Sequence, residues 1–373
     1  MGRQIVDPVS SPGWRPLVPS RSARRTAALA VAALCLVPVA SSAASPSGRD
    51  PVDPVSERAA FSARANPLTA PEYVGIDGQT HRHSPILVRG RNGTVFYGED
   101  FDGACGYGKQ FDRAMARLGR LARIIRASGR RVVFTVPPNK TAVMKGDILR
   151  SQLPHAACDL KGIAQQDRVL DRFASKSYVG LRKPLAEQAR NGRRHLYWPI
   201  DTHWTRIGAQ TWVTELAAHL DPGLADRQTA RRGRETIETD VSYLGVIPET
   251  RERGPAVFSS TPVKVVADPV YDPATQVNPM HTWRTTPARR AWRGRTLLIG
   301  DSFTYRALDN LMPLFAKGRF IWYGQPDIPS IPQAIANADT VVIEVVQRWV
   351  PISPVTEPSF VADVRRALSS AKH

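Results

Sequence analysis

The stretch Thr296-Leu-Leu-Ile-Gly-Asp-Ser-Phe303 decides the fold: a short buried strand runs through a glycine into Asp301 and Ser302, and a helix carrying Leu308, Leu311 and Phe315 follows. A continuous apolar strand delivered straight into a helix is the pattern of a parallel sheet covered on both faces. Working upstream, the pattern repeats. Phe111, Met115, Leu118, Leu121 and Ile125 recur at helical spacing, Gly129 supplies the stop, and Arg131-Val-Val-Phe-Thr-Val136 follows as a strand broken by Pro137 and Pro138. A helical stretch around Asp167 to Phe173 leads to Tyr178-Val-Gly-Leu181, and Leu196-Tyr-Trp198 runs into Asp201-Thr-His-Trp204 ahead of a helix with Ile207, Trp212, Leu216 and Leu220. The last strand is Asp339-Thr-Val-Val-Ile-Glu-Val-Val346, ending at Gln347 and Arg348. These alternations predict an α/β fold with a mainly parallel central sheet over residues 85–351, then a C-terminal helix or tail over 352–373. Ile86-Leu-Val88 and Thr94-Val-Phe-Tyr97 predict a hairpin turned at Asn92-Gly93. Between Asp221 and Ala291 apolar density falls, and 221–291 is expected to be an irregular insertion.

The chain has 373 residues and a formal charge of +18, with 51 Lys and Arg against 33 Asp and Glu. Only nine of the 51 cations are Lys, and the arginines are dispersed, which argues against a nucleic-acid partner. The excess does favour an anionic partner through long-range steering. Arg21, Arg24 and Arg25 precede an apolar run from Thr26 to Ala40 and the small residues Ser41 to Ser45, so residues 1–45 read as a secretory signal or an N-terminal anchor. The protein is accordingly expected to be exported, to the cell envelope or beyond. Residues 46–84 read as a flexible linker rich in Pro, Ser and Arg. Outside the signal two cysteines remain, Cys105 and Cys158, a candidate disulfide in an oxidising compartment, with two unpaired thiols as the other possibility. Neither makes a zinc site, and neither a metal nor an organic cofactor is expected.

Three strand ends carry the chemistry, because open α/β sheets bind ligands where the carboxyl ends of strands meet helix starts. Ser302 at a strand-to-helix turn presents a hydroxyl where free N–H groups favour a developing oxyanion, though the same tetrapeptide also suits a turn with Ser302 as an ordinary N-cap. Asp201, two residues before His203, can fold back onto Nδ1–H and leave Nε2 free as a base, the orienting arrangement of a serine triad; a histidine capping the next helix is the alternative. Asn139 and Lys140 follow a strand directly, placed to stabilise a transition state or grip an acidic sugar, or else simply to end the strand with a solvated Lys. Arg348, beside Gln347, has the same standing at the end of the last strand. Trp204 suits either a sugar face or the core, and Tyr305, in the helix after Ser302, completes the set of oxyanion or substrate-binding candidates.

Taken together, Gly-Asp-Ser-Phe from Gly300, Asp-Thr-His-Trp from Asp201 with Gly208-Ala209 after it, Val-Pro-Pro-Asn-Lys ending at Lys140 and Val-Ile-Glu-Val-Val-Gln-Arg ending at Arg348 resemble the AlgX/AlgJ group of SGNH-hydrolase-like alginate O-acetyltransferases. The blocks stand in that family's order, Asp-x-His upstream of Gly-Asp-Ser, over roughly Ile86 to Val350. The resemblance implies a three-layer SGNH-hydrolase-like fold, Ser302 as nucleophile, His203 as general base and Asp201 as its orienter. It also implies an extracytoplasmic O-acetyltransferase that carries acetyl through an acetyl-serine to a polysaccharide hydroxyl, receiving it from a membrane-bound O-acyltransferase partner. Gln347 departs from the Glu that many relatives have. With water as acceptor the same triad would make a carbohydrate O-acetyl esterase, and a secreted glycan-binding protein without catalysis is the third reading.

Overall fold

The computed structural model describes residues 73–74, 80–81, 87–101, 108–149, 157–192, 195–240, 251–259, 263–270, 280–323 and 330–371. The expected signal segment 1–45 and nearly all of the expected linker 46–84 lie outside these residues, as does Cys105 and with it the expected disulfide. Strands β1 (Leu87–Arg89) and β2 (Val95–Tyr97) pair antiparallel, and the turn between them has Asn92 at φ 55° and Gly93 at φ 73°, as an Asn-Gly pair allows. Helix α1 (Gly108–Ala127) leads to β3 (Arg131–Thr135), α2 (Ala157–Arg172) to β4 (Tyr178–Val179), and α3 (Arg182–Arg190) and α4 (Arg206–Leu220) follow. Four strands come next: β5 (Ala230–Glu238), β6 (Arg251–Ser259), β7 (Lys264–Val270) and β8 (Met280–Thr286). Then β9 (Trp292–Gly300) enters α5 (Ser302–Leu311), and β10 (Phe315–Trp322), α6 (Ser330–Ala336), β11 (Thr340–Glu344) and α7 (Pro358–Ser370) complete the described chain.

One seven-stranded sheet in the order β4-β3-β11-β9-β10-β8-β7 organises the molecule. Its first five strands are parallel and β8 and β7 extend it antiparallel. The strands of the parallel part are apolar on both sides because helices cover both. Val132, Phe134, Leu297, Ile299, Val341 and Ile343 pack under α1, α6 and α7. Their alternating neighbours Val133, Leu298 and Val342 pack under α3, α4 and α5, with Trp212, Leu216, Phe303 and Leu308. Burying residues of both parities removes enough apolar surface, at about 25 cal/mol per Å², to make this sheet the core. No described helix is long and apolar enough to cross a membrane.

Two expectations are corrected. The described residues of 221–291 are not mainly irregular: β5 and β6 form a nine-pair antiparallel ribbon, and β7 and β8 widen the sheet. Their apolar density is low because the ribbon is covered on one side only, so that Arg232, Arg234 and Thr236 of β5 are exposed while Ile237 on the other face is buried. The helix after Ser302 also stops earlier than expected, at Leu311, and Phe315 opens β10 instead; Pro313 cannot supply the N–H that continuing the helix would need.

Candidate active site

The carboxyl ends of β9 and β11 build a rigid turn around Ser302. Gly300 has no room for a side chain, since a Cβ there would lie 2.0 Å from Thr304 Oγ1 and 2.9 Å from Glu344 Oε2. Asp301 is the N-cap of α5: its Oδ1 accepts from Phe303 N at 2.8 Å. Its Oδ2 accepts from Tyr323 Oη at 2.7 Å and from Val346 N at 3.0 Å. The capping role therefore falls to Asp301, and Ser302 occupies the first helical position, half-buried, with its hydroxyl spared that duty. Glu344 closes the turn from below, its Oε2 accepting from Asp301 N at 3.0 Å, Thr304 N at 3.3 Å and Thr304 Oγ1 at 2.7 Å. Burial and the neighbouring Asp301 charge push the Glu344 carboxyl well above its usual range. These contacts claim the N–H groups of Asp301, Phe303 and Thr304; among the described residues nothing claims that of Ser302.

His203 faces this turn from a separate loop. Asp201 Oδ1 lies 2.8 Å from His203 Nδ1 and also accepts the His203 backbone N–H at 2.8 Å, so one carboxylate oxygen fixes both ring and main chain. A second carboxylate, not anticipated from the sequence, reaches the same nitrogen: Asp240 Oδ2 is 3.2 Å from Nδ1. Asp240 is itself held by Thr202, through the backbone N–H at 3.0 Å and the hydroxyl at 2.5 Å, and its own N–H donates to Asp201 Oδ2 at 2.8 Å. Burial of the imidazole opposes its charged form, but Asp201 and Asp240 outweigh it and raise the His203 pKa to about 9. Burial likewise opposes ionisation of Asp240, yet the bonds from His203 and Thr202 hold its carboxyl below the usual range. On the other side of the ring, Nε2 is buried with no hydrogen-bond partner. The ring packs 5.1 Å, centroid to centroid, from Phe303, the residue after Ser302. The structure thus joins His203 to Asp201 and sets both beside the Ser302 turn, without a hydrogen bond between Ser302 and Nε2. Asp201, His203 and Asp240 are also the one described group of metal-ligating type, their donor atoms within 4.8 Å of one another. The separations of 2.8 and 3.2 Å are hydrogen-bond distances across an N–H, which leave no space between imidazole and carboxylates for an ion with bonds of about 2 Å.

The remaining candidates divide. Lys140 does not face solvent or substrate: it is buried, and Nζ donates to the carbonyls of Val95, Trp198 and Pro199 at 2.7, 2.5 and 2.7 Å and approaches Asp201 O at 3.3 Å. It fastens the loop that carries Asp201, and burial lowers its pKa to about 8. Trp204 is core, 1% exposed, and its Nε1 donates to Phe303 O at 3.1 Å, tying the His203 loop to the first turn of α5. Gly208, next to that loop, is needed because a Cβ there would sit 2.4 Å from Leu196 O. Asn139 is buried with Oδ1 accepting from Arg348 N at 3.1 Å, an arrangement that leaves its NH2 group as the free donor. Arg348 is buried too, 3.2 Å from Asp100 Oδ1 and stacked 5.3 Å from the Phe303 ring, so it supports the turn from within. Tyr305 alone of the set is well exposed, at 40%. Asp240 carried no local signal, since nothing around Thr239-Asp240 marks it as a partner of a histidine 37 positions away. Glu344 did carry one: an acid between the apolar runs Val341–Ile343 and Val345–Val346 has to find buried partners.

The family model described as the SGNH hydrolase-like domain of the acetyltransferase AlgX matches residues 87–309. Among solved structures, Bacillus cereus PatB1 with a sulfonyl adduct superposes with a TM-score of 0.51 at 12% identity, over 73% of this chain and 96% of that one. The O-acetyltransferase domain of Pseudomonas putida AlgJ gives a TM-score of 0.46 at 17% identity, over 75% of this chain and 99% of that one. No curated protein matches the sequence.

Proposed function

The chain belongs to the AlgX family of SGNH-hydrolase-like acetyltransferases, and from that premise we propose that it transfers acetyl groups to hydroxyls of an extracytoplasmic, anionic polysaccharide through a covalent intermediate on Ser302. The observation that carries this reading is His203: a buried imidazole gripped at Nδ1 by Asp201 and Asp240, with Nε2 unpartnered beside the helix turn that begins at Ser302.

In the first half-reaction Nε2 of neutral His203 takes the proton of Ser302 Oγ as Oγ bonds to the acetyl carbonyl carbon of the donor. The tetrahedral oxyanion is met by the unclaimed Ser302 N–H and by the Asn139 amide, then the bond to the donor breaks and its leaving oxygen or sulfur takes the proton back from His203. In the second half-reaction a sugar hydroxyl gives its proton to Nε2, bonds to the same carbon, and the Ser302 Oγ–carbon bond breaks as Oγ is reprotonated. Asp201 and Asp240 stabilise the imidazolium that forms in each half. The donor group arrives from a membrane-bound O-acyltransferase, consistent with an exported protein and with an acceptor attracted by the +18 charge.

Incubation with an activated acetyl ester followed by peptide mass spectrometry tests the reading. An acetyl group on Ser302, absent in Ser302→Ala, is the expected result, and adding acceptor glycan should move it to sugar in preference to releasing acetate. Full ester turnover by Ser302→Ala would refute the mechanism, and release of acetate exceeding transfer would make the protein an esterase.

A further inference from the structure

An aromatic cluster at the same edge of the sheet takes no part in the proton transfers above. Tyr305 lies three residues after Ser302 on α5, so the two share a helix face. Its ring is 5.9 Å from that of Trp322, inclined 40°, and 5.9 Å from that of His281, inclined 44°. Trp322 ends β10 in register with Gly300, which puts it on the strand beside the Ser302 turn, and His281, on β8 one strand further, pairs with Phe320 of β10. Tyr305 is 40% exposed and Trp322 half-buried, while His281 is 6% exposed and its Nε2 has no hydrogen-bond partner. Burial lowers the His281 pKa, which favours the neutral ring, whose Nε2 can act as an acceptor or as a donor according to tautomer.

We propose that Tyr305, Trp322 and His281 form the subsite that holds a pyranose ring of the acceptor glycan next to Ser302. The proposal rests on the acetyltransferase reading and names where its acceptor sits. A pyranose has a face of C–H groups and a rim of hydroxyls. The C–H face complements the negative face of an aromatic ring, and a rim hydroxyl supplies the partner His281 Nε2 lacks. A purely apolar ligand would leave that nitrogen buried and unsatisfied, and a small anion would make no use of the ring faces. The position also fits the reaction, since an acceptor hydroxyl has to come within about 3–3.5 Å of the acyl carbon on Ser302.

The test measures binding without turnover. Full-length Ser302→Ala protein is titrated by calorimetry with β-linked hexasaccharides, one neutral and one built from uronic acids, and contacts are read by saturation-transfer NMR. At least one hexasaccharide should bind with its ring C–H protons saturated. Adding Tyr305→Ala or Tyr305→Leu should weaken Kd at least tenfold, whereas Tyr305→Phe should stay within about twofold, and His281→Ala should weaken Kd with the ring contact retained. Thermal melting of each variant shows which are folded, and Tyr305→Leu, which keeps apolar cover, stands in if Tyr305→Ala is not. Unchanged affinity in the folded Tyr305 variants, or no binding of either hexasaccharide up to millimolar concentration, would overturn the proposal. Because no step of this assay needs Ser302, a failure of acetyl transfer in the wild type would be a separate result.

Discussion

Replacing Asp240 by Asn removes one of the two charges that face His203 Nδ1 while keeping the shape that Thr202 holds. With its pKa at about 9, His203 is neutral in about one molecule in a hundred at pH 7, and only that fraction can accept the Ser302 proton. A carboxylate within about 4–6 Å raises a histidine pKa by roughly 1–3 units, so removing the more distant of the two should lower it by about one unit. The neutral fraction at pH 7 then rises about tenfold, and the weaker base gives back about threefold for a Brønsted slope near one half. The net expectation is a reaction about threefold faster at pH 7 and about threefold slower above pH 10, with the two pH profiles crossing between. The assay is the second-order rate of Ser302 labelling by a fluorophosphonate from pH 6 to 10.5, which isolates nucleophile activation from acceptor binding. An inflection unmoved by the substitution, or a uniform loss at every pH, would show that Asp240 only shapes the loop.

His203 also makes stability depend on pH: its folded pKa of about 9 exceeds the ordinary 6.5, so its contribution is complete below pH 6.5 and is lost as pH rises toward 9. Urea unfolding should therefore show about 2 kcal/mol lost between pH 6.5 and 8 in the wild type and a flatter profile in His203→Gln; parallel profiles would contradict the raised pKa. Gly300→Ala forces a methyl onto Thr304 and Glu344, and should cost about 1–3 kcal/mol in denaturant unfolding together with most Ser302 labelling. A variant with wild-type stability and labelling would mean the turn yields without consequence. Because burial pushes the Glu344 carboxyl well above its usual range, Glu344→Gln should unfold within about 1 kcal/mol of wild type, whereas Asp301→Asn, which disturbs an acceptor shared by Phe303 N, Tyr323 Oη and Val346 N, should cost more. The reverse order would contradict the raised Glu344 pKa. Lys140→Met should weaken Ser302 labelling by loosening the Asp201 loop, although Lys140 touches no reacting atom in the proposed mechanism; labelling at the wild-type rate would make its four carbonyl contacts irrelevant to the site.

What could be read from sequence here followed the range of the interaction. β3, β9 and β11 were legible because burial on both faces leaves uninterrupted apolar runs, and α1 because its apolar stripe recurs at helical spacing. The Asp201–His203 contact was legible because two residues suffice for the carboxylate to fold back onto the ring. β5 to β8 were missed because a ribbon covered on one side and two antiparallel strands near the sheet edge need little apolar sequence, and arginine on their open faces reads as loop. Lys140 was misread for a related reason. A lysine after Pro-Pro looks solvated until the fold brings carbonyls from β2 and from the chain around Trp198 to surround it, and no local pattern records an encounter between segments 45 and 58 positions away.

The two halves of the site are held by different means. The Ser302 turn hangs from the sheet, through Asp301, Glu344 and Tyr323, all buried and all bonded to strand ends or to the first turn of α5. The His203 loop hangs from Lys140, Asp240 and the Trp204 indole, that is, from an ammonium, a carboxylate two residues past the end of β5 and one link to Phe303. At neutral pH the imidazole between them is protonated, so its Nε2 is a donor, and in that state it is poised to return a proton to a leaving group and unable to accept one from Ser302. A rise in pH, or a change in the charge around Nδ1, then increases the fraction able to activate the serine, and Asp240 is one group through which such a change would act. Asp240 follows β5 by two residues, so substitutions at that end of β5 that displace Asp240 should move the labelling inflection without touching Ser302.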